Sequence, residues 1–238
     1  MKFFFGATGS HLTYARLLAN RLGKLDLDFE IYNFGELPTG KRFHIPFTQG
    51  EGSKKGKSIY YPKIPLKQLV VLDMMYSNPK DELLIYLDVD TLVNTPIPEI
   101  DTDDYDIGIT IHPKKIHGKG YGVEAFPEKT SYLNAGVIFF RNNDKAKEFV
   151  RLWMNNSMFH SDNHSDQEGL TFTVKDYDLQ EGQVVDIEGV RVKCFPSYLY
   201  NNCWRQPEVE GIKIRHAAGF REGGVPYLRK NILSGEYK

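Results

Sequence analysis

Residues 83–93 read LLIYLDVDTLV, five apolar or aromatic residues followed at once by two carboxylates, Asp88 and Asp90. An apolar run of this length, without alternation, fits a strand covered on both faces, and so a sheet with layers on either side. Such a strand excludes charge. The two carboxylates therefore mark its end. There they either face solvent as a polar stop or meet a positive partner.

The rest of the chain fits the same architecture. Residues 3–5 form a short apolar run that closes on Gly6, Ala7, Thr8, Gly9 and Ser10, a strand and a turn. Leu12, Ala15, Leu18, Ala19 and Leu22 recur at spacings of three and four, which predicts a helix over 11–22 with Gly23 as its stop. Residues 29–34 are a second strand. Pro65 opens a second helix from the first helical position, and Asn78-Pro79 ends it. Further strands are predicted at 83–87, 105–111, 137–140, 184–187, 190–195 and 212–214, with helices at 146–154 and 226–233. Alternating strands and helices predict an α/β fold, a single domain with a mainly parallel central sheet flanked by helices. Ligands of such sheets bind beyond the carboxyl ends of the strands. The Gly6–Ser10 turn and the Asp88/Asp90 pair both stand at strand ends and are expected at one edge.

Composition excludes several classes. Thirty Lys and Arg against 31 Asp and Glu leave no net field to hold nucleic acid or an anionic membrane. No run approaches the roughly 18 apolar residues of a membrane span, and the phenylalanines of MKFFFGATGSH are too few for a signal-peptide core. The expectation is a soluble, cytoplasmic protein. The two cysteines, Cys194 and Cys203, imply no disulfide framework. They lack zinc spacing and read as core thiols. Residues 40–58 break the pattern, with Lys41, Arg42, Lys54, Lys55 and Lys57 against one Glu51. This stretch is either a solvated loop or a basic flap over a phosphorylated ligand.

Three readings compete for the acidic pair. The first is a polar strand end. The second is a haloacid-dehalogenase-type phosphatase, whose nucleophilic motif also follows an apolar strand; here Thr91 comes one place early, and no convincing later lysine and acid pair follows. The third is a metal site. An EF-hand is excluded, because Leu92 and Val93 stand where a ligand and a glycine are required. Carboxylates two apart on a regular strand sit about 6.6 Å apart, whereas two oxygens on one Mg²⁺-like ion are ~3 Å apart. A shared ion therefore requires the backbone to turn at Asp88–Asp90, or one carboxylate to act through water.

Three later stretches bear on the choice: YLNAGVIFFRN at 132–142, HSDQEGL at 164–170 and RHAAGFR at 215–221. Each alone is weak. Asn134-Ala135-Gly136 fits a turn before a strand, Asp166-Gln167 fits a helix cap, and His216 alone reads as structural. In order, however, D-x-D, L-N-A-G before an apolar strand, S-D-Q and H-x-x-G-x-[KR] resemble the retaining nucleotide-sugar glycosyltransferases of GT-A type. The set is similar to the glycogenin and lipopolysaccharide-galactosyltransferase family and to the α-galactosyl/xylosyltransferase family. PKIPLKQ at 62–68 is similar to the K-[IL]-P-L segment of the second family. ATGS at 7–10 resembles the nucleotide-contacting turn after strand 1. Two features depart from the pattern: Arg221-Glu222 stands where Lys-Pro is usual, and the basic segment 40–58 is not general to it.

The resemblance implies a Rossmann-like GT-A domain, with a nucleotide-sugar and metal half over 1–110 and an acceptor half over 111–238. It implies a UDP-sugar donor and a glycan, glycoprotein or lipid-linked acceptor, with retention of anomeric configuration. A cation would be held by Asp88, Asp90 and His216. Carboxylates suit Mn²⁺ or Mg²⁺, and the imidazole nitrogen favours Mn²⁺. Ala7, Thr8 and Gly9 would meet the base or ribose. Lys63, Lys67 and Arg221, beside Gly219, would add charge at the phosphates, and Val89 lies within the donor motif. Asn134, Ala135 and Gly136 would line the sugar pocket. Asp166 would hold sugar hydroxyls, and Gln167 would lie near the anomeric carbon. A catalytically idle nucleotide-sugar-binding module with the same fold is the remaining alternative. His160 and His164, four apart, are a weaker metal pair. Tyr198, Tyr200 and Trp204 are either packing residues or a sugar-stacking platform. The geometric expectation is that Asp88, Asp90 and His216, far apart in sequence, converge on one point.

Overall fold

The computed structural model describes residues 1–7, 12–33, 41–42, 65–80, 82–113, 131–159, 166–203, 206 and 208–217. Eleven strands and five α-helices occur among them. In chain order these are β1 (Lys2–Ala7), α1 (Leu12–Lys24), β2 (Phe29–Asn33), β3 (Lys41–Arg42), α2 (Leu66–Ser77), β4 (Leu83–Leu87) and β5 (Thr91–Val93). Then follow β6 (Ile107–Pro113), β7 (Ser131–Arg141), α3 (Asp144–Phe159), α4 (Asp166–Thr173), β8 (Val184–Ile187), β9 (Val190–Pro196), α5 (Ser197–Tyr200), β10 (Asn202–Cys203) and β11 (Ile214–His216).

Eight strands build the central sheet in the order β3-β2-β1-β4-β7-β6-β9-β8. The half from β3 to β4 is parallel, as is β6 with β9. Strand β7 runs antiparallel to both β4 and β6, and β8 antiparallel to β9. Because β4 pairs with β7, the two sequence halves share one sheet, and the 110/111 boundary falls inside β6. A second sheet of three short strands, β10-β11-β5, carries the end of the LLIYLDVDTLV stretch.

The unbroken apolar runs are explained by burial on both faces. Phe4, Leu84 and Tyr86 point into one core with α2, α3 and α4. Phe3, Phe5, Leu83, Ile85 and Leu87 point into the other, against α1 and the small sheet. Each fully buried aromatic or aliphatic side chain of this kind contributes about 1.5–3 kcal/mol. Cys194 and Cys203 are both buried free thiols, and burial pushes Cys194 up to about 12. Tyr200 packs edge-on against Phe139 and Phe195 and is 8% exposed, so it serves the core; Tyr198 is at the surface.

Several expected boundaries move slightly. Pro65 sits at the cap position, and α2 begins at Leu66. Helix α1 passes through Gly23 to Lys24, since nothing forces a left-handed turn there. The last strand lies at Ile214–His216, two residues later than its apolar content suggests, because pairing with β5 sets its register. The helix expected at 226–233 lies outside the described residues. No helix of the described residues is long and apolar enough to cross a membrane.

Candidate metal centre and active site

Strand β4 ends at Leu87, and the chain then turns. The Thr91 N–H donates to the Asp88 carbonyl at 3.0 Å, so Asp88–Thr91 forms a tight turn between β4 and β5. This is the turn that the spacing of the carboxylates required. Val89, at its tip, packs on the core that also holds Leu87 and Val93. Strand β11 then pairs with β5 so that His216 lies opposite Thr91, and the Ala217 N–H donates to the Asp90 carbonyl at 2.9 Å. The small sheet thus returns a residue from near the end of the chain to the acidic turn.

One ligand atom each from Asp88, Asp90 and His216 lies within 4.8 Å of the others. His216 Nε2 is 3.2 Å from Asp90 Oδ1 and 3.8 Å from Asp88 Oδ2. Burial pulls the His216 pKa down, but Asp90, and then Asp88, more than offset it and hold it above its usual value. Burial raises the Asp88 pKa against the attraction of Lys67 and His216.

A second group abuts the first. Lys67, in the first turn of α2, places Nζ 2.9 Å from Asp88 Oδ1, pairs with Asp166 Oδ2, and donates to the Ala135 carbonyl at 2.9 Å. It also lies 4.9 Å above the Tyr86 ring. Burial lowers the Lys67 pKa, but Asp166 and Asp88 carry it well above the ordinary lysine range. The Tyr86 hydroxyl donates to Asp88 Oδ1 at 3.1 Å. Asp166 is the first residue of α4, and its carbonyl accepts from Trp153 Nε1 at 2.6 Å. Gly169, one turn on, lies so close to Ser157 of α3 that an added Cβ would meet its hydroxyl. Close packing of α4 on α3 therefore sets where Asp166 points.

The Asn134-Ala135-Gly136 segment runs into an irregularity in β7 that spans Ala135, Gly136 and Val137. Ile109 pairs with Ile138 but Thr110 with Asn134, so β7 carries three extra residues at this point. The freed backbone faces the site. The Asp88 N–H donates to the Gly136 carbonyl at 2.7 Å, and Asn134 Oδ1 accepts from the Gly136 N–H at 2.8 Å. A Cβ on Gly136 would stand 2.2 Å from His216 Cε1 and 2.6 Å from Nδ1, so this glycine makes room for the imidazole.

The donor set fits a divalent cation. Two carboxylates and an imidazole nitrogen are ligands suited to Mn²⁺ or Mg²⁺. A ligating imidazole is neutral, so with a cation in place three carboxylates (Asp88, Asp90 and Asp166) against the Lys67 ammonium would carry two negative charges, which a dication balances. The structure thus brings together Asp88, Asp90, His216, Asn134, Ala135, Gly136, Lys67 and Asp166. Gln167 adjoins Asp166, and Ala7 is buried at the end of β1. Thr8, Gly9, Lys63, Gly219, Arg221, His160, His164 and Trp204 lie outside the described residues, as do most of 40–58. Sequence reasoning missed Tyr86 and Asn201. Tyr86 lies two residues before Asp88, so strand periodicity already put both on one face.

No family model and no curated protein matches the sequence. Solved structures do match in shape. A glycosyltransferase involved in the glycosylation of the major capsid of PBCV-1 superposes with a TM-score of 0.56 at 15% identity, covering 92% of each chain. The glycosyltransferase GlyE of Streptococcus pneumoniae TIGR4 gives a TM-score of 0.51 at 14% identity, covering 91% of this chain and 54% of its own. The fold is therefore the one these glycosyltransferases use, the GT-A arrangement that the ordered motifs resemble.

Proposed function

We propose that this chain is a metal-dependent GT-A glycosyltransferase that moves a sugar from a UDP-sugar to a glycan, glycoprotein or lipid-linked acceptor, with retention of configuration. The observation that carries this reading is the convergence of Asp88, Asp90 and His216 on one point beside the Lys67–Asp166 pair. Mn²⁺, or Mg²⁺, held by those three residues would supply a Lewis acid for the diphosphate leaving group.

The chain's own residues do the rest. Asp166, held in place by Lys67, would accept hydrogen bonds from sugar hydroxyls. Gln167 would stand near the anomeric carbon. Asn134 and Ala135 would border the sugar, while Gly136 belongs to the seat of His216. Ala7, Thr8 and Gly9 would face base and ribose, and Lys63, Gly219 and Arg221 the phosphates, where charge-assisted hydrogen bonds are strongest. Residues 1–110 would then supply most donor contacts and 111–238 the acceptor side. A double displacement needs a carboxylate nucleophile at the anomeric carbon. Asp166 is already engaged by Lys67. The reading therefore favours front-face substitution, in which the departing phosphate takes the acceptor proton.

The test is UDP release from a panel of UDP-sugars with and without Mn²⁺. Metal-dependent release supports the proposal. Phosphate release from a monoester would support the phosphatase alternative, and binding without turnover the idle module. Asp166→Ala is expected to retain Mn²⁺ and UDP binding while transfer falls about a hundredfold, the usual scale for losing a substrate-positioning contact. Wild-type transfer by that variant would remove Asp166 from the site.

A further inference from the structure

Nε2 is the nitrogen that faces the acidic pair, so a His216 that ligates a cation beside Asp88 and Asp90 must keep its ring proton on Nδ1. A buried relay fixes that choice. His216 Nδ1 lies 2.8 Å from Asn201 Oδ1. Asn201 Nδ2 donates to Thr110 Oγ1 at 2.7 Å and reaches the Asn134 carbonyl at 3.4 Å. Thr110 Oγ1 itself donates to that carbonyl at 3.2 Å. A backbone carbonyl only accepts, so direction propagates from it. Thr110 gives its proton to Asn134, Asn201 gives its N–H to Thr110, and Asn201 Oδ1 is left facing the imidazole. The reverse amide orientation would set Oδ1 against the Asn134 carbonyl. Asn201 and Thr110 are fully buried and His216 is 5% exposed, so a mismatched polar atom here would carry its desolvation cost.

The backbone explains why Asn201 stands there. It ends the single turn of α5, its N–H donating to the Ser197 carbonyl at 2.9 Å. It leads directly into β10, whose Cys203 pairs with His216. The Asn134 carbonyl reaches Thr110 because the irregularity of β7 sets Asn134 opposite Thr110.

We infer that Asn201 is a positioning residue for His216. It holds the ring with Nδ1–H directed into the protein and so leaves Nε2 for a cation shared with Asp88 and Asp90. The inference rests on the proposed function, because without a cation the Asp90 carboxylate, 3.2 Å from Nε2, draws a proton there. Partners of this kind usually change metal affinity by about 10–100-fold when removed.

The experiment titrates Mn²⁺ into the full chain and compares wild type with Asn201→Leu and Asn201→Asp, with circular dichroism to show that each variant folds. Asn201→Leu is expected to lose about tenfold or more in Mn²⁺ affinity. Asn201→Asp keeps an acceptor at Nδ1, and the Thr110 hydroxyl can turn to serve it, so this variant is expected to recover affinity at or above wild type. A folded Asn201→Leu with unchanged Mn²⁺ affinity overturns the inference, as does an Asn201→Asp that binds as weakly as Asn201→Leu. If wild type itself binds no Mn²⁺, the metal reading fails and the inference with it.

Discussion

Replacing Gly136 by alanine adds one methyl group at the point where β7 meets His216. The backbone of Gly136 lies outside the left-handed region, so an alanine there is not conformationally strained and the whole effect is steric. The new Cβ would stand 2.2 Å from His216 Cε1 and 2.6 Å from Nδ1. Carbon atoms rest at about 3.5 Å or more, so the ring must retreat by roughly 1.3 Å. A retreat of that size breaks the 2.8 Å contact of Nδ1 with Asn201 and moves Nε2 away from Asp90, now at 3.2 Å. Overpacking of this kind costs about 1–3 kcal/mol, and a displacement near 1 Å in a reacting constellation costs on the order of 10²-fold in rate. The assays are thermal or chemical denaturation, Mn²⁺ titration and UDP release. Gly136→Ala in a His216→Ala background provides the control. With the ring gone, most of the stability penalty should vanish, leaving the milder contact with Asn134 Oδ1 at 3.0 Å. Gly136→Ala with wild-type stability and Mn²⁺ affinity would refute the reasoning, as would an undiminished penalty in the double variant.

Two further perturbations probe the charges around the site and away from it. Lys67→Met leaves Asp88 and Asp166 facing each other without their shared ammonium. Partial exposure of both carboxylates screens the loss, so a stability decrease of about 1–3 kcal/mol by denaturant titration is expected, with UDP release falling more than Mn²⁺ binding; unchanged stability and turnover would count against the bridging role. Away from the site, Asp106 accepts from the Arg191 backbone N–H at 2.9 Å, from the Arg191 guanidinium and from Asn143. Burial opposes its ionisation, but Arg191 and Asn143 hold its pKa below the usual carboxylate value. Its contribution is therefore present above about pH 4 and lost as pH falls through the lower folded value. Asp106→Ala should cost about 1.5–3 kcal/mol at neutral pH, with the difference from wild type shrinking in acid; a pH-independent difference would contradict the assignment.

The elements most visible in the sequence were those where local pattern and burial agree. LLIYL occupies β4 without a residue gained or lost, because both faces of that strand are covered. The period of α1 and the Asn78-Pro79 stop of α2 follow local rules in the same way. The antiparallel direction of β7 was not legible, since a run buried on both faces reads the same in either direction. The site was half legible. Asp88, Asp90 and His216 are chemically distinctive and stand in an ordered set of motifs. Asn201 is one of two adjacent Asn residues in the stretch SYLYNNCW, and the pairing of β10 with β11 brings it to His216. Gly136 read as a small residue beside a sugar, but its Cβ position is filled by an imidazole, a contact between residues far apart in the chain. Lys67 read as a phosphate ligand; the structure shows its ammonium already shared by two carboxylates.

The central claim is that one divalent cation sits among Asp88, Asp90 and His216. A crystal of the protein grown with Mn²⁺ and UDP, with data collected for the anomalous signal of manganese, tests it most directly. The predicted result is a single strong peak bonded to His216 Nε2 and to oxygens of both Asp88 and Asp90 at about 2.1 Å, with the diphosphate on its open side. A peak elsewhere, or bound UDP with no peak at these three residues, would contradict it.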